Sequence, residues 1–165
     1  MQLPSNQSMK GYTLIEILVA LTVVGILFGV GYVSFRDFSR RQSINSNARQ
    51  VASDLRFAQE LSASGKKPAG CTGSLDGYNF RVTSATAYSI EAKCSLAGVA
   101  QIVSAKTVSL INNVRVSTSG TNPILFKSVS EGTNIPAGQS VTLVLSQPGV
   151  AYTASLTIGQ NGDIK

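Results

Sequence analysis

The sequence predicts an α+β chain, in which a long N-terminal helix precedes and packs on a small antiparallel β-sheet domain. Three observations predict it. Residues 17–35 (ILVALTVVGILFGVGYVSF) form an apolar run with no charged side chain. From Ile44 to Leu61 the apolar positions recur at helical spacing. From about residue 70 that spacing gives way to short alternating runs punctuated by turn residues.

The first run is close to the ~20 residues a helix needs to cross a bilayer. Inside a water-soluble domain it would be apolar all round, so a membrane helix is the better reading. A secretory signal peptide competes with it, but the run exceeds the usual core of about 7–15 residues and no A-x-A-like site follows. Instead Phe35 leads into Arg36, Asp37, Arg40 and Arg41, as a helix leaving a membrane would. Gly25 and Gly29 within the run have the small-xxx-small spacing that lets helix backbones approach closely.

Beyond Phe35 the pattern turns amphipathic. Ile44, Ala48, Val51, Ala52, Leu55, Ala58 and Leu61 make one stripe, with Arg36, Arg40, Arg49 and Arg56 largely off it. No proline interrupts the chain between Tyr12 and Ser64, and Gly65 with Lys66-Lys67-Pro68 is a strong stop. One helix is therefore expected from about 12 to about 63.

In the C-terminal part, strands are expected at 78–83, 87–92, 99–104, 108–117, 124–129, 141–146 and 152–158. The turn signals are Asp76-Gly77, Pro136-Ala137-Gly138, Pro148-Gly149 and Asn161-Gly162, the last a hairpin signal between Ile158 and Ile164. Cys71 and Cys94 stand in this β region without metal-ligand spacing, which suggests a disulfide and an oxidising compartment.

Composition narrows the function. The 165 residues contain no histidine and no tryptophan. Without histidine the serine and cysteine triads, the usual general base and the common zinc sets are closed. Ser119 or Ser146 as a nucleophile would need Lys106 or Lys127 as its base, and surface hydroxyls on strands are the simpler account. The sequence points to no catalytic residue, no metal and no cofactor. Its net charge of +6 is spread out, with only Arg40-Arg41 and Lys66-Lys67 adjacent, as on a mildly basic solvated surface. Arginines after the run against Lys10 before it would place the C-terminal domain in the cytoplasm. The cysteines argue for the other side.

Glu16 stands between Ile15 and Ile17 at the head of the apolar run. A charge at the membrane centre costs roughly 2.5–3.5 kcal/mol or more, and such residues usually have a partner and a function; at headgroup depth the cost is small. The neighbouring residues weigh on that choice. Met9-Lys10-Gly11-Tyr12-Thr13-Leu14-Ile15-Glu16 resembles the processing site of type IV prepilins and type II secretion pseudopilins. The resemblance implies a type IV pilin-like lollipop fold and a leader, residues 1–11, that prepilin peptidase removes by cutting after Gly11. It further implies N-methylation of the new amino terminus at Tyr12, where the family usually has phenylalanine. Glu16 matches the glutamate five residues into the mature chain. The new ammonium lies four residues from Glu16, about one helical turn, and pairing two charges that are each expensive in an apolar surrounding offsets much of their cost. In the family this pairing is thought to form with a neighbouring subunit, which makes Glu16 an assembly determinant. Many pilins also carry a proline about two-thirds along the span. This chain has none there.

On that resemblance the chain divides into the leader 1–11, a transmembrane half-helix 12–35, an amphipathic half-helix 36–64 and a β-rich periplasmic or extracellular domain 65–165. It is expected as a single-pass inner-membrane protein that later enters a pilus or pseudopilus. Its partners are other pilin or pseudopilin subunits, prepilin peptidase, the inner-membrane assembly platform and membrane lipid. The segment 55–67 (LRFAQELSASGKK) before Cys71, Leu125-Phe126 ahead of Glu131-Gly132, residues 141–145 and 152–158, and Gly162-Asp163-Ile164 resemble the GspH/FimT group of minor pilins and pseudopilins. The leading expectation is a minor pilin or pseudopilin, with a major pilin as the nearest rival. DNA capture is the weaker alternative. Some FimT-like pilins take up DNA through arginines in a C-terminal tail, and residues 158–165 (IGQNGDIK) hold one lysine and one aspartate. The eight basic and four acidic side chains beyond Gly65 supply only weak non-specific phosphate attraction.

Overall fold

The structure, a computed structural model, describes residues 11–165, the side chains of Val30, Val33, Ser34 and Ser130 excepted. One helix, α1 (Leu14–Ala63), precedes seven strands. The chain forms two compact units that divide inside α1, between Phe38 and Ser39.

In the first unit α1 starts on Thr13. The Glu16 and Ile17 amides donate to the Thr13 carbonyl oxygen at 3.1 and 3.3 Å, and the Glu16 amide also reaches Thr13 Oγ1 at 3.4 Å. These bonds satisfy donors that the first helical turn leaves without a partner. The apolar side chains that follow are exposed, among them Leu14, Ile15, Leu21, Ile26, Leu27, Phe28 and Phe35.

In the second unit the helix buries one stripe, Ile44, Ala48, Val51, Leu55 and Ala58. Ala52 and Leu61, counted in the sequence stripe, are half-buried at its margins. The helix ends where the Gly65 amide bonds to the Ser62 carbonyl and the Lys66 amide to the Leu61 carbonyl, at 3.1 and 3.3 Å. That pair of bonds requires a left-handed residue, which Gly65 supplies at φ +61°.

The strands are β1 (Ser74–Ser84), β2 (Ala87–Leu96), β3 (Val99–Ser109), β4 (Arg115–Ser119), β5 (Ile124–Lys127), β6 (Ser140–Ser146) and β7 (Thr153–Gly159). They form two antiparallel sheets, a four-stranded one in the order β3-β2-β1-β5 and a three-stranded one in the order β4-β6-β7. One core joins them to the helix stripe. Tyr78, Phe80, Tyr88, Ile90, Ile124 and Phe126 come from the first sheet, and Val116, Val141, Leu143, Leu145 and Ile158 from the second. Residues 132–134 stitch the sheets together. Lys127 donates to the Gly132 carbonyl and Asn134 to that of Leu125 along β5, while the Thr133 amide bonds to the Gln160 carbonyl just beyond β7.

Three sequence expectations are corrected. Residues 99–104 and 108–117 are not two strands. A bulge opposite Ile90–Glu91 shifts the alternation in mid-strand, so β3 runs on to Ser109. The real break is Asn112-Asn113, both left-handed at φ +57° and +56°, a conformation short polar side chains tolerate. That break separates β3 from β4, the first strand of the second sheet. Asp76-Gly77 is no turn either; it lies inside β1, at a register shift. Gly77 sits at φ +148°, and a Cβ there would collide with the Phe126 carbonyl oxygen, so glycine serves a close strand approach. Residues 128 and 129 leave the expected fifth strand for a short 3-10 turn, Ser128–Ser130.

The Asn161-Gly162 hairpin expectation is matched by the Ile158–Ile164 bridge and by the bonds between Thr157 and Lys165 in both directions.

Candidate functional site

The sequence concentrates its chemistry at the start of the chain. Of the leader expected at 1–11, residues 1–10 lie outside the described part. Gly11 and Tyr12 precede the helix in exposed backbone without regular secondary structure, Tyr12 being 78% exposed. Accessible non-helical backbone is what a peptidase requires. Glu16 falls in the first turn of α1 and is exposed. The positive end of the helix dipole favours a carboxylate at this position. Thr13 is the residue that sequence reasoning missed here. Thr13-x-x-Glu16 has capping-box spacing, a signal present in the sequence. Tyr12, Thr13 and Glu16 thus form one local unit, in which the residue next to the expected new terminus starts the helix that carries the acid.

Gly25 and Gly29 lie one helical turn apart, and a Cβ at either would meet nothing within 4 Å. Among the described residues, their absent side chains therefore serve no contact. Among the described residues no helix is long and apolar enough to cross a membrane. The run 17–35 includes Val30, Val33 and Ser34, and the crossing read from it belongs to the proposal below.

In the β domain Cys71 and Cys94 form a disulfide, with Cα atoms 5.9 Å apart. Both are buried, and the bond ties the connection after α1 to β2.

Three buried polar residues on the helix were passed over because their positions read as breaks in the apolar stripe. These are Asn47, Asp54 and Ser62, at 1%, 5% and 1% exposure. Asn47 accepts the Ile111 amide at 3.3 Å. Asp54 accepts the Tyr88 hydroxyl at 2.7 Å and the Lys106 ammonium at 2.6 Å, which joins helix, β2 and β3. Burial pushes the Tyr88 phenol far above its ordinary range, and the Asp54 carboxylate adds to the shift. Burial raises Tyr78 as well, and its hydroxyl donates to the Lys66 carbonyl at 2.6 Å. Each bond satisfies a group whose burial alone would be unfavourable.

The basic side chains are partly engaged within the chain. Lys106 pairs with Asp54, Arg81 with Glu91 at 3.1 Å, and Lys165 with Asp163 at 3.5 Å. Arg41 lies over the Tyr152 ring at 6.0 Å, and the Tyr152 hydroxyl donates to Asn45. These contacts leave less cationic surface for a polyanion than the net charge suggests.

A family model described as the prokaryotic N-terminal methylation motif matches residues 6–32. It covers Gly11, Tyr12, Glu16, Gly25 and Gly29 and supports a type IV pilin-like protein. The motif implies processing by prepilin peptidase, anchoring in the inner membrane before assembly, and assembly with other pilin subunits. The α+β architecture, a helix packed on small antiparallel sheets, is consistent with it. Neither a curated protein nor a solved structure matches the chain.

Proposed function

We propose that this chain is a minor pilin or pseudopilin, a structural subunit of a type IV pilus or a type II secretion pseudopilus. Prepilin peptidase cuts after Gly11, the new amino group of Tyr12 is methylated, residues 17–35 hold the chain in the inner membrane with the β domain outside the cytoplasm, and Glu16 guides entry into the filament. The observation that carries the reading is the methylation-motif match over a stretch where Gly11-Tyr12 is exposed and Glu16 opens the helix. The uncovered Gly25 and Gly29 support it, since they leave room for a neighbouring helix. The GspH/FimT-like features of the β domain favour a minor role over that of a major pilin.

Intact-mass measurement of the membrane-extracted protein tests the reading. The mature chain should begin at Tyr12 with one added methyl group, and Gly11→Ala should leave the longer, unprocessed form. A mature chain beginning elsewhere overturns it.

A further inference from the structure

The outer strands of the two sheets differ in how their free edges are covered. β5 is bordered by residues 132–134, β7 by residues 163–165, and the five-residue β4 is met by Ala85, whose carbonyl accepts the Val116 amide at 2.7 Å. β3 is eleven residues long, and among the described residues nothing bonds to the main chain on its far side.

The turn at Ala97-Gly98, with φ +50° and +82°, has two residues, which makes Leu96–Val99 the first hydrogen-bonded pair of the hairpin. Alternation along the ladder then directs the N–H and C=O groups of Ala100, Ile102 and Ser104 away from β2. Such an edge normally carries a charge, a proline or a cover against pairing. Lys106, the one charged residue of β3, is neutralised by Asp54. The bulge near Ala105 ends the regular edge, leaving residues 99–104 in unbroken register and uncharged. Leu96, Val99 and Ile102 are 52%, 70% and 46% exposed at this end.

We propose that this edge pairs antiparallel with the same edge of a second copy of the chain, centred on Ile102. The segment is self-complementary. Ile102 meets Ile102, the small Ala100 and Ser104 meet one another, and about six main-chain hydrogen bonds form. A charged partner segment would find no opposite charge here, and that favours a second copy. The contact is small beside the ~800 Å² per partner of a stable interface, so the dimer is weak, with Kd on the order of micromolar. The inference depends only on the β domain and stands apart from the processing of the amino terminus.

The full chain in detergent micelles tests it. Ile102→Cys should give an oxidative covalent dimer at least tenfold above Ser119→Cys, an exposed control on β4. Ile102→Lys should cut the dimer fraction in sedimentation at least fivefold while leaving the near-ultraviolet circular dichroism unchanged. Equal cross-linking of the two cysteine variants overturns the proposal. So does a wild-type chain that stays monomeric as concentration rises. Association that Ile102→Lys does not weaken, as expected if copies meet through the apolar helix, overturns it too.

Discussion

The hydroxyl of Ser62 donates to the carbonyl oxygen of Phe126 at 2.6 Å, and the Ser62 hydroxyl oxygen in turn accepts the Tyr78 amide at 2.9 Å. Tyr78 and Phe126 are register partners on β1 and β5. A side chain from the last turn of α1 therefore completes the ladder between two strands. The helix is docked on the sheet by hydrogen bonds at the point where the sheet would otherwise be incomplete.

Ser62→Ala strands a buried donor and a buried acceptor at once. A loss of about 1–3 kcal/mol is expected for such a deletion. Chemical unfolding of the full chain in micelles, followed by tyrosine fluorescence because the sequence has no tryptophan, measures it. The Tyr78 amide should also lose its protection from hydrogen exchange. A variant as stable as the parent would mean that water fills the gap without cost.

Alkaline pH should weaken the β domain. Tyr78 and Tyr88 are both raised above the ordinary phenol value of 10.0. The folded chain holds two protons that the unfolded chain gives up above about pH 10, so the unfolded state binds fewer and stability falls as pH rises from there. Below that pH their contribution is complete. Unfolding midpoints at pH 8 and pH 11 should differ, and by less in Tyr88→Phe, which loses the larger shift. Equal differences in parent and variant would show that Tyr88 plays no part.

The Cys71–Cys94 disulfide closes a loop with a sequence separation of 23. Replacing both cysteines by serine should cost about 3 kcal/mol on the chain-entropy estimate for a loop of this length. Thermal unfolding with and without reductant checks it. Reductant should lower the parent's midpoint and leave the double variant's unchanged.

Glu16→Ala should leave cleavage after Gly11 intact and lower incorporation of the chain into sheared filaments several-fold. Glu16→Asp, which keeps the charge on a shorter side chain, should recover part of the loss. Normal assembly of the alanine variant would end the charge-pairing account.

The site proposed at the amino terminus rests on chemistry that is local. Gly11, Tyr12 and Glu16 lie within six residues, and their meaning depends on neighbours along the chain and on the apolar run behind them. The Thr13 cap is local in the same way, since Thr13-x-x-Glu16 spans a single helical turn. The helix stop at Gly65 was legible for a similar reason, since a left-handed cap is a property of one residue and the bonds beside it.

The fold sets a residue's role wherever that role depends on a partner far along the chain. Asp76-Gly77 has the composition of a turn, and only the approach of Phe126 makes it a strand bulge. Asn47, Asp54 and Ser62 look like solvated helix positions until Ile111, Tyr88 with Lys106, and Tyr78 with Phe126 arrive as their hydrogen-bond partners. The division into two sheets, and the open edge of β3, follow from which strands find each other. The methylation motif, the long helix and the β character of the rest are legible in the residues alone, because turn chemistry, capping and hydrophobic period act over a few residues. Strand partners and buried polar contacts were left to the fold, because a hydrogen bond across 64 residues leaves no periodic trace in the chain.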